Sequence, residues 1–124
     1  MAISQLRSRR TVTGARYVNA RKKKKYELGG LPTLTKMGAT IRKQSRVLGD
    51  HKKIKLLSEE HVNVSGKDNK CTIAKIITVS ENPANRHYVR RNIITKGSIV
   101  TTDKGKVRIT SRPGQNGALH GVLV

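Results

Sequence analysis

The 124-residue chain has no Trp and no Phe, three Pro and one Cys, and its only aromatic side chains are Tyr17, Tyr26 and Tyr88. Acids are also scarce, with 7 Asp and Glu against 27 Lys and Arg. Each scarcity excludes something. With 35% hydrophobic residues, the chain lacks the usual lining of a deep apolar substrate pocket. No stretch approaches the ~18 consecutive apolar residues of a membrane span. No apolar segment follows the basic residues near the N-terminus, as a secretory signal requires. Cys71 has no partner for an internal disulfide, so a reducing, intracellular setting is expected.

Metal and cofactor chemistry find little to work with. His51, His61, His87 and His120 are widely spaced, whereas structural zinc sites pair their ligands about two to five residues apart. Cys71 is expected to be a small strand residue, buried or half-buried. No G-x-x-x-x-G-K-[ST] loop occurs. Glu59 and Glu60 are adjacent, so in a strand they point to opposite faces. Glu81 lies close to His87, a pair a nuclease could use. However, Glu81 also directly precedes Asn82, where a carboxylate favours a helix N-terminus. The chain is expected to be no enzyme, with no cofactor, no metal and no small-molecule substrate.

What is present in excess is positive charge. The formal net charge is +20, well beyond the ~2–8 that keeps a small domain soluble. Such a charge repels itself in a compact state and calls for a polyanionic partner. A phosphate backbone is that partner, because each neutralised phosphate releases condensed counterions. A membrane surface would call for a basic amphipathic helix with an apolar face, and none is seen.

The charge is uneven. Residues 1–25 hold nine basic residues and no acid, and residues 1–58 hold sixteen against two. Residues 59–124 are nearer ordinary composition, with eleven against five. Residues 1–40 show no sustained helix or strand period and are broken by Gly14, Gly29, Gly30, Pro32 and Gly38. They read as an extended basic arm that orders on its partner. Residues 41–124 read as a β-barrel body.

Within the body, Ile41 to Leu48 is a candidate strand, followed by a turn at Gly49-Asp50. Ile54, Leu56, Val62 and Val64 mark an interrupted second run. Ser65 to Asn69 suits a hairpin connection. Thr72 to Val79 is the strongest strand, rich in β-branched residues. Ser98–Thr102 and Lys106–Thr110 flank Asp103-Lys104-Gly105, whose glycine can supply a positive φ. Arg112-Pro113-Gly114-Gln115 suits a type II turn, and Ala118 to Val124 reads as the last strand. One short helix is expected over Pro83–Arg91, capped by Asn82. The fold class is mainly β: a small barrel, one short helix and a long basic arm.

RNA-type signals cluster in two places. Tyr17 and Tyr26 lie in or beside the run of Arg7, Arg9, Arg10, Arg16, Arg21, Lys22, Lys23, Lys24 and Lys25. Tyr88 lies between Arg86 and Arg90, with Arg91 adjacent. Rings among cations suit stacking on unpaired bases while the charges hold phosphates. The plainer readings are a packing contact for Tyr88 and a solvated position for Tyr17 and Tyr26. Arginine at 7, 9, 10, 86, 90, 91 and 112 offers a planar fork that takes phosphate bidentately. Lys22–Lys25 act as point charges.

The segments Arg10-Thr-Val-Thr-Gly-Ala15 and Arg21-Lys-Lys-Lys-Lys-Tyr-Glu-Leu-Gly29 resemble the signature of a small-subunit ribosomal family. This is the archaeal and eukaryotic S-eight-e family, which has no bacterial counterpart. Glu81-Asn-Pro-Ala-Asn-Arg-His-Tyr-Val-Arg-Arg-Asn-Ile-Ile-Thr-Lys-Gly97 and Thr110-Ser-Arg-Pro-Gly-Gln115 are similar to its archaeal members. Gly49-Asp50-His51 departs from the Gly-Gly-Asn-like turn expected there. The resemblance implies a structural role in translation, with the barrel on the small subunit and the arm threaded into rRNA. It marks Arg10, Gly14, Arg21, Lys22, Lys23, Lys25, Gly29, Asn85, Arg86, Arg90 and Arg91 as rRNA contacts or close backbone approaches. The expected partners are small-subunit rRNA and neighbouring ribosomal proteins, at one copy per cytoplasmic subunit. The competing reading is an architectural DNA-binding or chromatin-type protein, which lacks an obvious recognition helix here.

Overall fold

The computed structural model describes residues 8–18, 20–66 and 70–124. Two compact units divide the chain, residues 1–32 and 33–124.

Among the described residues, the larger unit contains nine strands, one short α-helix and a 3-10 turn at Leu48–Asp50. Strands β1 (Thr35–Met37), β2 (Ile41–Arg46), β3 (Lys52–Glu59) and β6 (Ile93–Ile94) form a sheet in the order β2-β3-β1-β6. Strands β4 (His61–Ser65), β5 (Cys71–Glu81), β7 (Ile99–Thr102), β8 (Gly105–Ile109) and β9 (His120–Leu123) close into a barrel. The barrel is antiparallel except where β9 meets β4 in parallel register, Val64 opposite Gly121. Two register shifts let the eleven-residue β5 bend along β7, as bulges do in strongly curved sheets.

Lacking Phe and Trp, the chain fills this barrel with branched aliphatics. Val62 and Val64, Ala74 and Ile76, and Val107 and Ile109 are buried at alternate positions, Val79 follows after a register shift, and Val100 and Leu119 complete the set, with Leu56 and Ile94 joining from the second sheet. Each of these Val, Ile and Leu side chains contributes about 1.5–3 kcal/mol over leaving it in water. Gly121 lies at the seam, where an added Cβ would meet Val107 Cγ1 and, at 2.9 Å, the carbonyl of Arg108.

Several local expectations meet a different structure. Residues 35–37, read as irregular, form β1, anchored by the buried Thr35 hydroxyl donating to Leu56 O at 2.8 Å. Helix α1 is shorter than expected, Arg86–Arg90, and its N-cap is Asn85, whose side chain accepts from His87 N at 2.9 Å. Asn82 is instead buried. Its Oδ1 accepts from Ala84 N and Thr95 Oγ1, each at 3.0 Å, and its Nδ2 donates to Ile93 O at 3.1 Å. Glu81 accordingly ends β5 and does not sit at the helix N-terminus.

Gly114 has no left-handed φ, and both Gln115 N and Asn116 N donate to Arg112 O at 2.9 Å, so the turn is helical in character, not type II. Cys71 is exposed because it opens β5 beyond the buried stretch. Gly105 does take the expected positive φ, +117°. At the β2–β3 turn, Gly49 and Asp50 are both left-handed, at φ +74° and +58°. A second glycine would suit that turn, and Asp is among the few other residues that tolerate it. Of the hairpin expected at residues 65–69, Lys67, Asp68 and Asn69 lie outside the described residues.

Candidate nucleic-acid interface

In the smaller unit, Arg10 and Arg16 bridge in antiparallel register. Between them Thr11 N donates to Ala15 O at 2.9 Å and Gly14 N to Thr11 O at 3.0 Å, with Gly14 at φ +84°. The Thr-Val-Thr-Gly stretch is therefore a tight loop and not plain extended chain. Arg10 closes it by donating from Nη1 to Gly14 O at 2.8 Å. Val12 and Val18 are fully exposed, Tyr26 largely so and Tyr17 partly, so the described residues of this unit bury little apolar surface.

The lysine run is organised by one acid. Arg21 meets Glu27 in a two-pronged pair, Nη2 to Oε1 at 2.8 Å and Nη1 to Oε2 at 3.0 Å. Glu27 also accepts from Lys24 N at 2.9 Å, which turns the chain through Lys25–Glu27. The Arg21 fork, followed by the Lys24 amide, holds the Glu27 carboxyl at a pKa of about 2, and Glu27 in turn raises that of Arg21. Lys24 Nζ lies 5.9 Å from the Tyr26 ring centre, a cation–π distance. Lys22, Lys23 and Lys25 are exposed and form no direct ion pair among the described residues, although the charge of Lys23 adds to the pull on Glu27. Gly29 is half-buried and takes no left-handed φ. Arg7 lies outside the described residues.

In the larger unit, Arg86, Arg90 and Arg91 are exposed, with the first two one helical turn apart on α1. Tyr88 is half-buried between them. Asn85 is occupied as the cap of α1. Arg112 is exposed beside the turn that its carbonyl closes. No hydrogen bond or ion pair joins Glu81 to His87 among the described residues, and both are exposed.

One basic surface escaped the sequence reading. The hairpin of β2 and β3 carries Arg42, Lys43, Arg46, Lys52, Lys53 and Lys55, five of them exposed and Lys55 half-buried. The signal was present, as cations on both sides of the Gly49-Asp50 turn. Their juxtaposition depends on register, which composition does not give.

The family model for ribosomal protein S8e matches residues 4–124. The chain belongs to that family. Among curated S8e relatives, the small ribosomal subunit protein eS8 of Methanococcoides burtonii is 48% identical over 97% of both chains. The protein of the same name from Nanoarchaeum equitans is 49% identical over 97% of this chain and 95% of its own. That of Methanosarcina barkeri is 45% identical over 94% of each. The S8e match takes in the loop at 10–16, the lysine run, α1 and the barrel alike.

Proposed function

We propose that this protein is a structural constituent of the small ribosomal subunit, binding and stabilising small-subunit rRNA in support of translation and assembly. It acts in the cytoplasm, beside other small-subunit proteins, at one copy per subunit, and carries out no reaction of its own. The observation that carries the reading is the pairing of an S8e match over residues 4–124 with exposed cations at Arg9, Arg16, Lys22, Lys23 and Lys25, none of which forms a direct ion pair among the described residues. Such groups neutralise phosphates and let RNA helices pack closely. Tyr17 and Tyr26 supply faces for unpaired bases. Arg86, Arg90, Arg91 and Arg112 form further phosphate contacts on the larger unit, with Tyr88 beside them. Arg10, Gly14, Arg21, Lys24, Gly29 and Asn85 serve mainly to shape the backbone that presents these groups.

The test is sedimentation of native lysate, comparing the full chain with residues 33–124 alone. The full chain travels with small subunits at moderate salt. The shorter chain stays folded, since it holds the whole buried core, but does not enter subunits. Recovery of the full chain with chromatin or in the free pool overturns the reading.

A further inference from the structure

We propose that the β2–β3 hairpin is a second RNA site, one that grips the phosphates of paired RNA. The inference rests on the rRNA-binding reading and adds a surface and a substrate class to it. Residues 41–58 carry six cations and one acid, Asp50. In the observed register Lys43 faces Lys55 and Arg46 faces Lys52. Like charges directly opposite one another destabilise a strand pair, so this hairpin is built against its own stability.

The fold offers little compensation. Asp50 pairs with Arg46 at 3.2 Å, and Glu59 lies 3.9 Å from Arg42. Lys43, Lys52, Lys53 and Lys55 hold no acid among the described residues. The base of the hairpin is fixed by Leu56, which is fully buried and donates its N–H to Pro113 O at 2.9 Å. Among the described residues, β2 from Arg42 to Arg46 and β3 from Lys52 to Lys55 pair only with each other. A two-stranded ribbon alone is marginal in water, and an external polyanion relieves its repulsion.

The class of RNA follows from what the ribbon lacks. Residues 41–58 contain no Tyr, Phe or Trp for stacking on unpaired bases, and their one imidazole, His51, lies in the turn ahead of β3. Paired RNA hides its bases and is recognised through phosphates, 2′-hydroxyls and shape. Alternate residues of a strand are about 6.6 Å apart on one face. That places Lys43 and Ser45 of β2 beside Lys55 and Lys53 of β3 as a short cationic rail on one face, with Arg46 and Lys52 adding charge on the other.

The experiment uses the full chain and a mixed-sequence RNA duplex as probe, with affinity measured from 50 to 200 mM salt. The ribbon variant is Lys43→Gln, Lys52→Gln, Lys53→Gln and Lys55→Gln together. A charge-matched control carries Lys70→Gln, Lys96→Gln, Lys104→Gln and Lys106→Gln. The native chain loses affinity steeply with salt. The ribbon variant loses less, by a factor on the order of 10² across this range if four phosphate contacts are gone.

Replacing the same four lysines by Arg keeps the native slope, which separates charge from folding, as does the milder pair Lys53→Gln with Lys55→Gln. An unchanged slope in the ribbon variant, or an equal change in the control, overturns the inference. So does native RNA binding combined with failure to enter subunits, which would put a protein on the ribbon. If Lys22–Lys25→Ala weakens binding and the ribbon variant does not, the ribbon site falls and the rRNA reading stands. If the native chain binds neither duplex nor subunit rRNA, both fall.

Discussion

Thr95 donates its hydroxyl to the side-chain carbonyl of Asn82 at 3.0 Å, thirteen residues earlier in the chain. That contact, with the Asn82 bond to Ile93 O, ties the end of β5 to β6 while the chain between them forms α1. The exposed arginines of α1 thus stand on a short helix whose two ends are pinned together from inside. Replacing Asn82 by Ala strands the Ile93 carbonyl, the Ala84 amide and the Thr95 hydroxyl. The expected cost is about 2–4 kcal/mol, read as a lower urea midpoint at unchanged slope. A midpoint within error of the native one would mean that water replaces the side chain.

Gly121→Ala probes barrel closure. Its Cβ would press on Val107 Cγ1 and on the Arg108 carbonyl, and backbone cannot yield as a side-chain tip can. Overpacking of this kind costs about 3 kcal/mol, a fall in Tm on the order of 10–20 °C for a body of this size. Thermal unfolding of the variant checks it.

The Arg21–Glu27 pair makes local order in the basic segment depend on acid. The Glu27 pKa is depressed, from 4.5 to about 2. Its contribution is therefore complete above the ordinary value and is lost as pH falls from 4.5 toward 2. Between pH 6 and 8 the pair does not respond. Carboxyl NMR titration of Glu27 checks this, with a midpoint near 2 expected in the native chain and near the usual carboxylate value in Arg21→Gln. A native midpoint in the ordinary range would show that the pair does not persist in solution.

Lys22–Lys25→Ala removes four exposed positive charges, none of them in a direct side-chain ion pair among the described residues. Affinity for small-subunit rRNA is expected to lose about three units of salt slope, near 0.7–0.9 per phosphate released. A slope that does not change would leave the run in solvent.

Much of this architecture is legible in the sequence, and the failures have physical causes. Thr72–Val79 reads as a strand because β-branched residues dominate it, and it lies inside the observed β5, while the 99–109 hairpin is legible because Gly105 supplies its turn. Strand β1 is three residues long, too short to show a period. Asn82 and Asn85 are equally good caps on paper. Tertiary packing decides between them, since only Asn82 is buried where its amide can serve three partners. Of the candidate contacts, Arg10 and Arg21 are legible as important residues. Their roles in closing a loop and holding Glu27 are not, because those partners are set by turns that composition leaves open.

The parallel seam between β4 and β9 also sets an order of events as the chain folds. Asn63 and His120 meet across fifty-seven residues, whereas Val100 and Val107 meet across seven. Closing the longer loop costs about 2 kcal/mol more chain entropy, so β7 and β8 zip early and β9 docks late. Until it does, β4 and β8 each present an open edge, and a strongly cationic chain with open edges is prone to seize whatever acidic or extended chain is nearby. Newly made protein is therefore most vulnerable before its last strand arrives, and prompt capture shortens that interval.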